Sequence, residues 1–249
     1  MSDPTSYGRR IADIYDTLYE QTLPTEPAVT RMVELAEGGA VLELGIGTGR
    51  LALPLAARGI EVHGVDCSPD MVEQLHAKPG GRDIPVVIGD FATVRIERRF
   101  RLVVLAFNTI VAAPTQQAQV DVFRTAAAHL EPGGSFVLDT WVPDPGAFRR
   151  GQGAASASSV RVVSLSEDVV LLEAAKIHPA DQSMRTTKVL LTDAGPRLLP
   201  ANHRYVWPAE LDLMAQLAGL ALEQRTADWL GSPFTDDSTT HVSVYRAPS

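Results

Sequence analysis

The sequence predicts an α/β fold around a mostly parallel, doubly wound sheet, and three observations carry that expectation. Five apolar runs, at residues 41–44, 62–66, 85–88, 100–107 and 135–141, follow one another with helical or turn patterns between them. That is the layout of successive strand–helix–strand units. The first run ends in a glycine-rich turn that opens a helix. The chain has 249 residues, 45% of them hydrophobic, which is ample for one large domain with an embellishment.

The turn reads Gly45-Ile46-Gly47-Thr48-Gly49-Arg50, and residues 51–57 supply a helix packing back onto the strand. Glycine tolerates positive φ and has no Cβ to hold a ligand away from the backbone. The helix start offers free N–H groups and the positive end of its dipole. Asp66 ends the next strand, 21 residues after Gly45, the spacing at which a carboxylate meets the hydroxyls of a ribose. Two details separate this turn from a dinucleotide site. Arg50 stands where the third glycine of Gly-x-Gly-x-x-Gly would fall, and Glu43 precedes the first glycine by two residues. A carboxylate there suits a cationic ligand and not a pyrophosphate.

Charge and cysteine content narrow the field. Thirty acidic against 22 basic residues give a net charge of −8, which argues against a broad nucleic-acid-binding face. No apolar run approaches the roughly 20 residues of a membrane span. Met1-Ser2-Asp3-Pro4 lacks the basic-then-apolar form of a signal peptide. Cys67 is the single cysteine, so no intramolecular disulfide forms, and no Cys/His cluster points to zinc. A cytoplasmic protein without membrane or nucleic-acid partners is the expectation.

Further motifs fall in order. Ser68-Pro69-Asp70-Met71 starts a helix with a hydroxyl cap and proline in its first turn. Gly89-Asp90-Phe91 follows the third strand, where a carboxylate accepts from an amino group and Phe91 offers an apolar wall and a backbone N–H. Asn108-Thr109 lies at the carboxyl end of the fourth strand, where open α/β sheets bind ligands. A helix over residues 116–130 leads to Leu130-Glu131-Pro132-Gly133-Gly134 and the fifth strand.

Taken together these motifs resemble the class I S-adenosylmethionine-dependent methyltransferases, over roughly 100 residues. The resemblance implies a Rossmann-like seven-stranded sheet of order 3-2-1-4-5-7-6 and S-adenosylmethionine as cofactor. It implies that Glu43, Gly45 and Gly47 line the cofactor, that Asp66 takes its ribose, and that Met71, Asp90 and Phe91 surround its adenine. Asn108 then lies beside its methionine part. Residues 6–20 are predicted as one amphipathic helix with Ile11, Ile14, Tyr15 and Leu18 on a shared face. Its Ala12-Asp13-Ile14-Tyr15-Asp16-Thr17-Leu18-Tyr19 resembles the helix that small-molecule members close over the cofactor, which adds Tyr15 to the cofactor set. A second helix is predicted over 28–37, ended by Gly38-Gly39.

Beyond residue 145 the pattern changes. Residues 151–159 read as a small, polar connector. Residues 160–165, 169–177 and 184–192 read as β segments, with a fourth over 202–206, and no helix stands between them. The expected divisions are a helical cap over 1–37, a core over 38–145 and 207–249, and an antiparallel β insert, or substrate lid, over 146–206. The last large helix spans 208–218, with Leu211, Met214 and Leu217 on one face. Residues 220–229 and 241–245 make the closing strand pair, the second antiparallel to the rest. Arg204-Tyr205-Val206-Trp207-Pro208 and Ser232-Pro233-Phe234-Thr235 with His241-Val242-Ser243-Val244-Tyr245 resemble a group of actinobacterial methyltransferases acting in secondary metabolism.

The implied chemistry is in-line transfer from a sulfonium, in which the protein positions two partners and excludes water. An alcohol or ammonium acceptor needs a base, and histidine is the natural one near neutral pH. Of six histidines, His241 has the best expected position, at the ligand edge beside Trp229. His178 and His203 belong to the insert and are candidate substrate contacts. Tyr19, Trp141 and Trp229 are further candidates for the substrate wall; plain core packing is the other reading of the aromatic residues. No metal is expected, although Asp139 sits where metal-dependent O-methyltransferases carry a ligand. The acceptor is a small molecule methylated on O or N, and the chain works as a monomer or homodimer. Two alternatives stay open at this point: a cyclase of the same fold that keeps the cofactor without methyl transfer, and a non-enzymatic cofactor-binding partner.

Overall fold

A computed structural model describes residues 6–19, 25–144, 157–165 and 169–249. The expected 151–159 connector therefore lies mostly outside the described residues. Two short helices, α1 (Ser6–Ile11) and α2 (Tyr15–Tyr19), precede α3 (Thr25–Ala36). The core follows with β1 (Val41–Leu44), α4 (Ala52–Ala57), β2 (Val62–Asp66), α5 (Pro69–His76), β3 (Val86–Ile88), β4 (Phe100–Leu105), α6 (Gln116–His129) and β5 (Leu130–Trp141). Strands β6 (Ala157–Leu165), β7 (Val170–His178), β8 (Ser183–Thr192) and β9 (Gly195–Arg204) come next, then α7 (Pro208–Leu217), β10 (Ala221–Thr226) and β11 (Thr240–Arg246).

The main sheet has the order β10-β11-β5-β4-β1-β2-β3. With β10 and β11 as the sixth and seventh strands, this is the expected 3-2-1-4-5-7-6. Strand β1 lies between β2 and β4, parallel to both, with Val41 opposite Val62 and Leu102. Strand β11 runs antiparallel to β5, from Thr240 opposite Trp141 to Arg246 opposite Ser135. All four residues of β1 are buried, as a central parallel strand covered on both faces requires. One face packs Phe100, Phe123, Phe136 and Tyr245 beneath α6 and α7. The other packs Val29, Met32, Leu51 and Leu55 beneath α3 and α4. Phe123 meets Phe136 and Tyr245 edge-on at 5.1 and 5.4 Å, the favoured aromatic geometry.

The second sheet, β6-β7-β8-β9, is antiparallel throughout. Its fourth strand is longer than the expected 202–206, and Pro196 and Pro200 lie within the added length. They sit in β9, a sheet-edge strand, where a missing N–H costs no ladder bond. The helix expected over residues 6–20 is broken between Ile11 and Tyr15. Arg197 of β9 holds both carboxylate oxygens of Asp13 at 2.8 and 2.9 Å and also donates to the Arg10 carbonyl. The break is thus fixed from the insert, 184 residues away in sequence. Leu217 is exposed on α7, and Ala215 takes its expected place in the core.

Arg204, at the end of β9, ties the two sheets together. It is 4% exposed and donates to Gln119 of α6, to Gln182 at 2.9 Å and to Glu210 of α7 at 2.7 Å. Gln182 returns a bond of 2.9 Å to Glu210. Removing one member of a buried, ion-paired network leaves its partners unsatisfied, at about 3–5 kcal/mol. Arg204→Met is therefore expected to lower the melting temperature by about 6 °C or more. Thermal denaturation followed by circular dichroism checks this, and an unchanged midpoint would show that the network does not carry the junction.

Candidate active site

The site grows from the carboxyl ends of β1, β2 and β4. Gly45 and Gly47 adopt φ of +79° and +54°, which lets the chain leave β1 in a tight turn. A Cβ on Gly45 would stand 2.9 Å from the Thr109 side chain. The N–H groups of Gly45 and Ile46 both donate to the Val65 carbonyl, at 2.7 and 2.9 Å, so the turn is pinned to β2. Asp66 completes the lock: its carboxylate accepts from Gly47 N–H and Ser68 N–H, each at 2.8 Å. Burial raises its pKa, and these backbone bonds oppose the shift. Each carboxylate oxygen has lone pairs beyond these bonds, so Asp66 retains capacity for hydroxyl donors.

A pocket opens along this turn, lined by Tyr15, Glu43, Gly45, Gly47, Arg50, Phe107 and Thr109 among others. Glu43 is 5% exposed. It accepts from Ala52 N–H, yet its Oε2 is fully buried without a partner. Burial pushes its pKa up to about 8; the Arg50 guanidinium pulls the other way and Asp66 adds repulsion. A buried carboxylate oxygen with nothing to bind is costly, and it marks the place where a cationic group would be received. Arg50 lies over the Phe107 ring at 5.6 Å and donates to Thr25 Oγ1 at 3.0 Å. Acid and guanidinium in one cleft match the ammonium and carboxylate of an α-amino acid. Arg50 read in the sequence only as a departure from the dinucleotide pattern; its position directly after Gly-x-Gly-x-Gly was the available signal.

Beyond the pocket, the chain after β4 turns through Phe107 and Asn108, both left-handed with φ of +57° and +58°. Two such residues in succession are strained without glycine. Asp139 of β5 holds them: Oδ1 accepts from Phe107 N–H at 2.7 Å, and its backbone carbonyl accepts from Asn108 N–H at 3.1 Å. Asn108 Oδ1 accepts from Trp141 N–H at 2.9 Å. Asp139 also receives the Trp229 side chain as a donor, and burial pushes its pKa up to about 6. This places Trp229, 8% exposed, beneath the turn as a support.

The other expected residues divide by surroundings. Met71 is buried at the start of α5, and a Cβ on Gly47 would lie 3.3 Å from its Cε. Asp90 is exposed and accepts from Ala92 N–H at 2.8 Å, with Phe91 half-buried beside it. Tyr15 and Tyr19 stand 4.9 Å apart, and Tyr19 meets Phe107 edge-on at 5.2 Å. Burial holds the Tyr15 hydroxyl far above its ordinary pKa. Trp141, half-buried, lies 6.3 Å from Tyr205. His178 ends β7 opposite Ser183. His203 shares a hydrogen bond of 3.1 Å with Thr186 Oγ1, its Nδ1 is buried without a partner, and burial lowers its pKa to about 4.

His241 is not brought to this pocket. The register pairs it with Thr140, whereas Val242 pairs with Asp139, so the pleat turns His241 to the opposite face of the sheet. There it is 0% exposed, its Nδ1 lies 2.9 Å from Ser243 Oγ, and burial lowers its pKa to about 4. The sequence placed it correctly at the strand edge but left its face undetermined.

The cap is fastened to the site from two sides. Asp16 of α2 accepts from Thr48 Oγ1 at 2.6 Å and ion-pairs with Lys78, which also donates to the Thr48 carbonyl at 2.7 Å. On the insert side Lys188 donates to the Tyr19 hydroxyl and covers its ring at 4.7 Å.

A seven-stranded sheet of this order, a glycine turn locked by an acid, and an unsatisfied carboxylate beside an arginine suit a Rossmann-like site for an adenosyl compound with an amino-acid end. Comparison with known proteins agrees. A family described as a methyltransferase domain matches residues 41–134. The cypemycin N-terminal methyltransferase of a Streptomyces species is 30% identical over 248 residues, 98% of each chain. The solved CcbJ methyltransferase from Streptomyces caelestis is 39% identical with a TM-score of 0.88 over the whole of both chains. The S-adenosylmethionine-bound CalS10, an amino pentose methyltransferase from Micromonospora echinaspora, shares the fold at 20% identity and a TM-score of 0.67, over 93% of this chain and 96% of its own. The chain belongs to the S-adenosylmethionine-dependent methyltransferases, of the small-molecule type. These relatives do not favour the cyclase alternative.

Glu43 gives the site a testable signature. Its folded pKa of about 8 exceeds the ordinary 4.5, so the native state keeps a proton that the unfolded chain has released. Ligand-free stability must then fall as pH rises between about 4.5 and 8. Glu43→Gln removes that penalty. The variant is expected to melt about 2 °C or more above the wild type at pH 8, and level with it near pH 5. Its S-adenosylmethionine affinity should drop about ten-fold or more. Scanning fluorimetry and calorimetry measure both, and parallel pH profiles for the two proteins would refute the assignment.

Proposed function

We propose that this chain transfers the methyl group of S-adenosylmethionine to an amine nitrogen of a small secondary metabolite. In this reading it works in the cytoplasm without nucleic-acid or membrane partners. Glu43 takes the ammonium of the cofactor and Arg50 its carboxylate, while the Gly45–Gly47 backbone runs alongside. Asp66 receives the ribose hydroxyls, and Met71, Asp90 and Phe91 border the adenine. Tyr15 closes the pocket, with Asn108 at its far end. When bound, the cofactor supplies an activated methyl on a sulfonium.

The observation that carries the nitrogen assignment is the character of the wall beyond the pocket. Tyr15, Tyr19 and Phe107 form a continuous aromatic surface, and no histidine is among the residues that line the pocket beside it. His241 is sealed on the other face of the sheet, and His203 is held near a pKa of 4, a poor base at neutral pH. An unprotonated amine brings its own lone pair and needs no base. An alcohol would need the missing base. The cypemycin relative is named for methylation at an N-terminus, which is in keeping with an amine acceptor. The insert, through His203, His178 and the strand-end Trp141, supplies the remaining contacts to the acceptor.

The test pairs each candidate amine with its hydroxyl counterpart and follows methyl gain by mass spectrometry together with S-adenosylhomocysteine release. Amines are expected to be methylated and alcohols not. The rate should rise with pH as the acceptor's own ammonium loses its proton, with a midpoint that moves from one amine to another. Methylation of the alcohols alone, or a midpoint fixed by the enzyme whatever the amine, would sink the proposal.

A further inference from the structure

Asp139 is a half-buried carboxylate outside the glycine turn, yet four features of the site converge on it. It binds the N–H of Phe107 at 2.7 Å, and through its carbonyl the N–H of Asn108. It receives the Trp229 side chain. It also lies within the field of the Arg50 guanidinium. Phe107 is the link between these features. Its backbone is held left-handed, and its ring lines the pocket, carries Arg50 on its face at 5.6 Å and meets Tyr19 edge-on at 5.2 Å. A left-handed phenylalanine followed by a left-handed asparagine persists only where neighbours over-determine it. The carboxylate offers two acceptor oxygens to two fixed donors, and its negative charge draws the guanidinium toward the ring.

We propose that Asp139 is a positioning residue for the amino-acid end of the cofactor, acting through Phe107 and Arg50. It fixes the Phe107 ring by its main-chain N–H, with Trp229 bracing the carboxylate from behind. The ring and the charge together hold Arg50 where the cofactor carboxylate arrives. This rests on the reading of the Glu43–Arg50 pocket as the receiver of that amino-acid end.

The experiment compares two probes by calorimetry: S-adenosylhomocysteine, which has the amino-acid end, and methylthioadenosine, which keeps the adenosine and sulfur but lacks it. Asp139→Asn keeps the size of the side chain and can accept from only one of the two donors. It is expected to weaken S-adenosylhomocysteine about ten-fold and leave methylthioadenosine nearly unchanged. Trp229→Phe, which removes the brace alone, should weaken the first probe by a smaller factor with the second again unmoved. Equal weakening of both probes by Asp139→Asn would show a merely structural role and overturn the proposal, as would wild-type binding of both. Glu43→Gln and Arg50→Met serve as the reference. If they fail to separate the two probes, the pocket assignment itself falls and takes the proposal with it. If they separate them and Asp139→Asn does not, the positioning role alone is wrong.

Discussion

The structure depends on the burial of acidic side chains at the carboxyl ends of β1, β2 and β5, all in the middle of the main sheet. Glu43, Asp66 and Asp139 all stand there, and burial raises the pKa of each. Backbone donors restrain Asp66 and Asp139, but the Oε2 of Glu43 has none. Keeping such groups ionised away from water is costly, so without a ligand Glu43 holds its proton up to about pH 8. On the proposed assignment, an arriving cation would release that proton. Arg50, placed within the field of Glu43 and Asp139, tempers the repulsion without cancelling it.

Around this centre, the cap and the insert act as one assembly. Neither α1 nor α2 is long enough to be stable alone. Their order comes from Asp13 on Arg197, Tyr19 under Lys188, Asp16 on Thr48 and Lys78, and Ile11 buried with Met71 and Leu199. The insert in turn is fixed to the core by the Arg204 network.

Much of this was legible in the sequence, and the unread part has a consistent cause. The glycine turn, the acid ending the second strand and the Gly-Asp-Phe after the third are local patterns whose meaning lies in consecutive residues. The strand order followed from the family resemblance that these patterns carry. What escaped depends on partners remote in sequence. The break at Asp13 is made by Arg197, and the role of Asp139 needs Trp229 and the Phe107 turn. His241 shows the limit most clearly: its position along the strand was readable, but its face is set by pairing with Thr140, and a shift of one residue reverses it.

The double fastening of the short N-terminal helices has a consequence for traffic. One roof, pinned to the glycine turn by Asp16 and to the insert by Asp13 and Tyr19, borders both the donor pocket and the aromatic wall assigned to the acceptor. Lifting it for one guest loosens the walls around the other. On the proposed assignment, donor and acceptor would then share one barrier to entry.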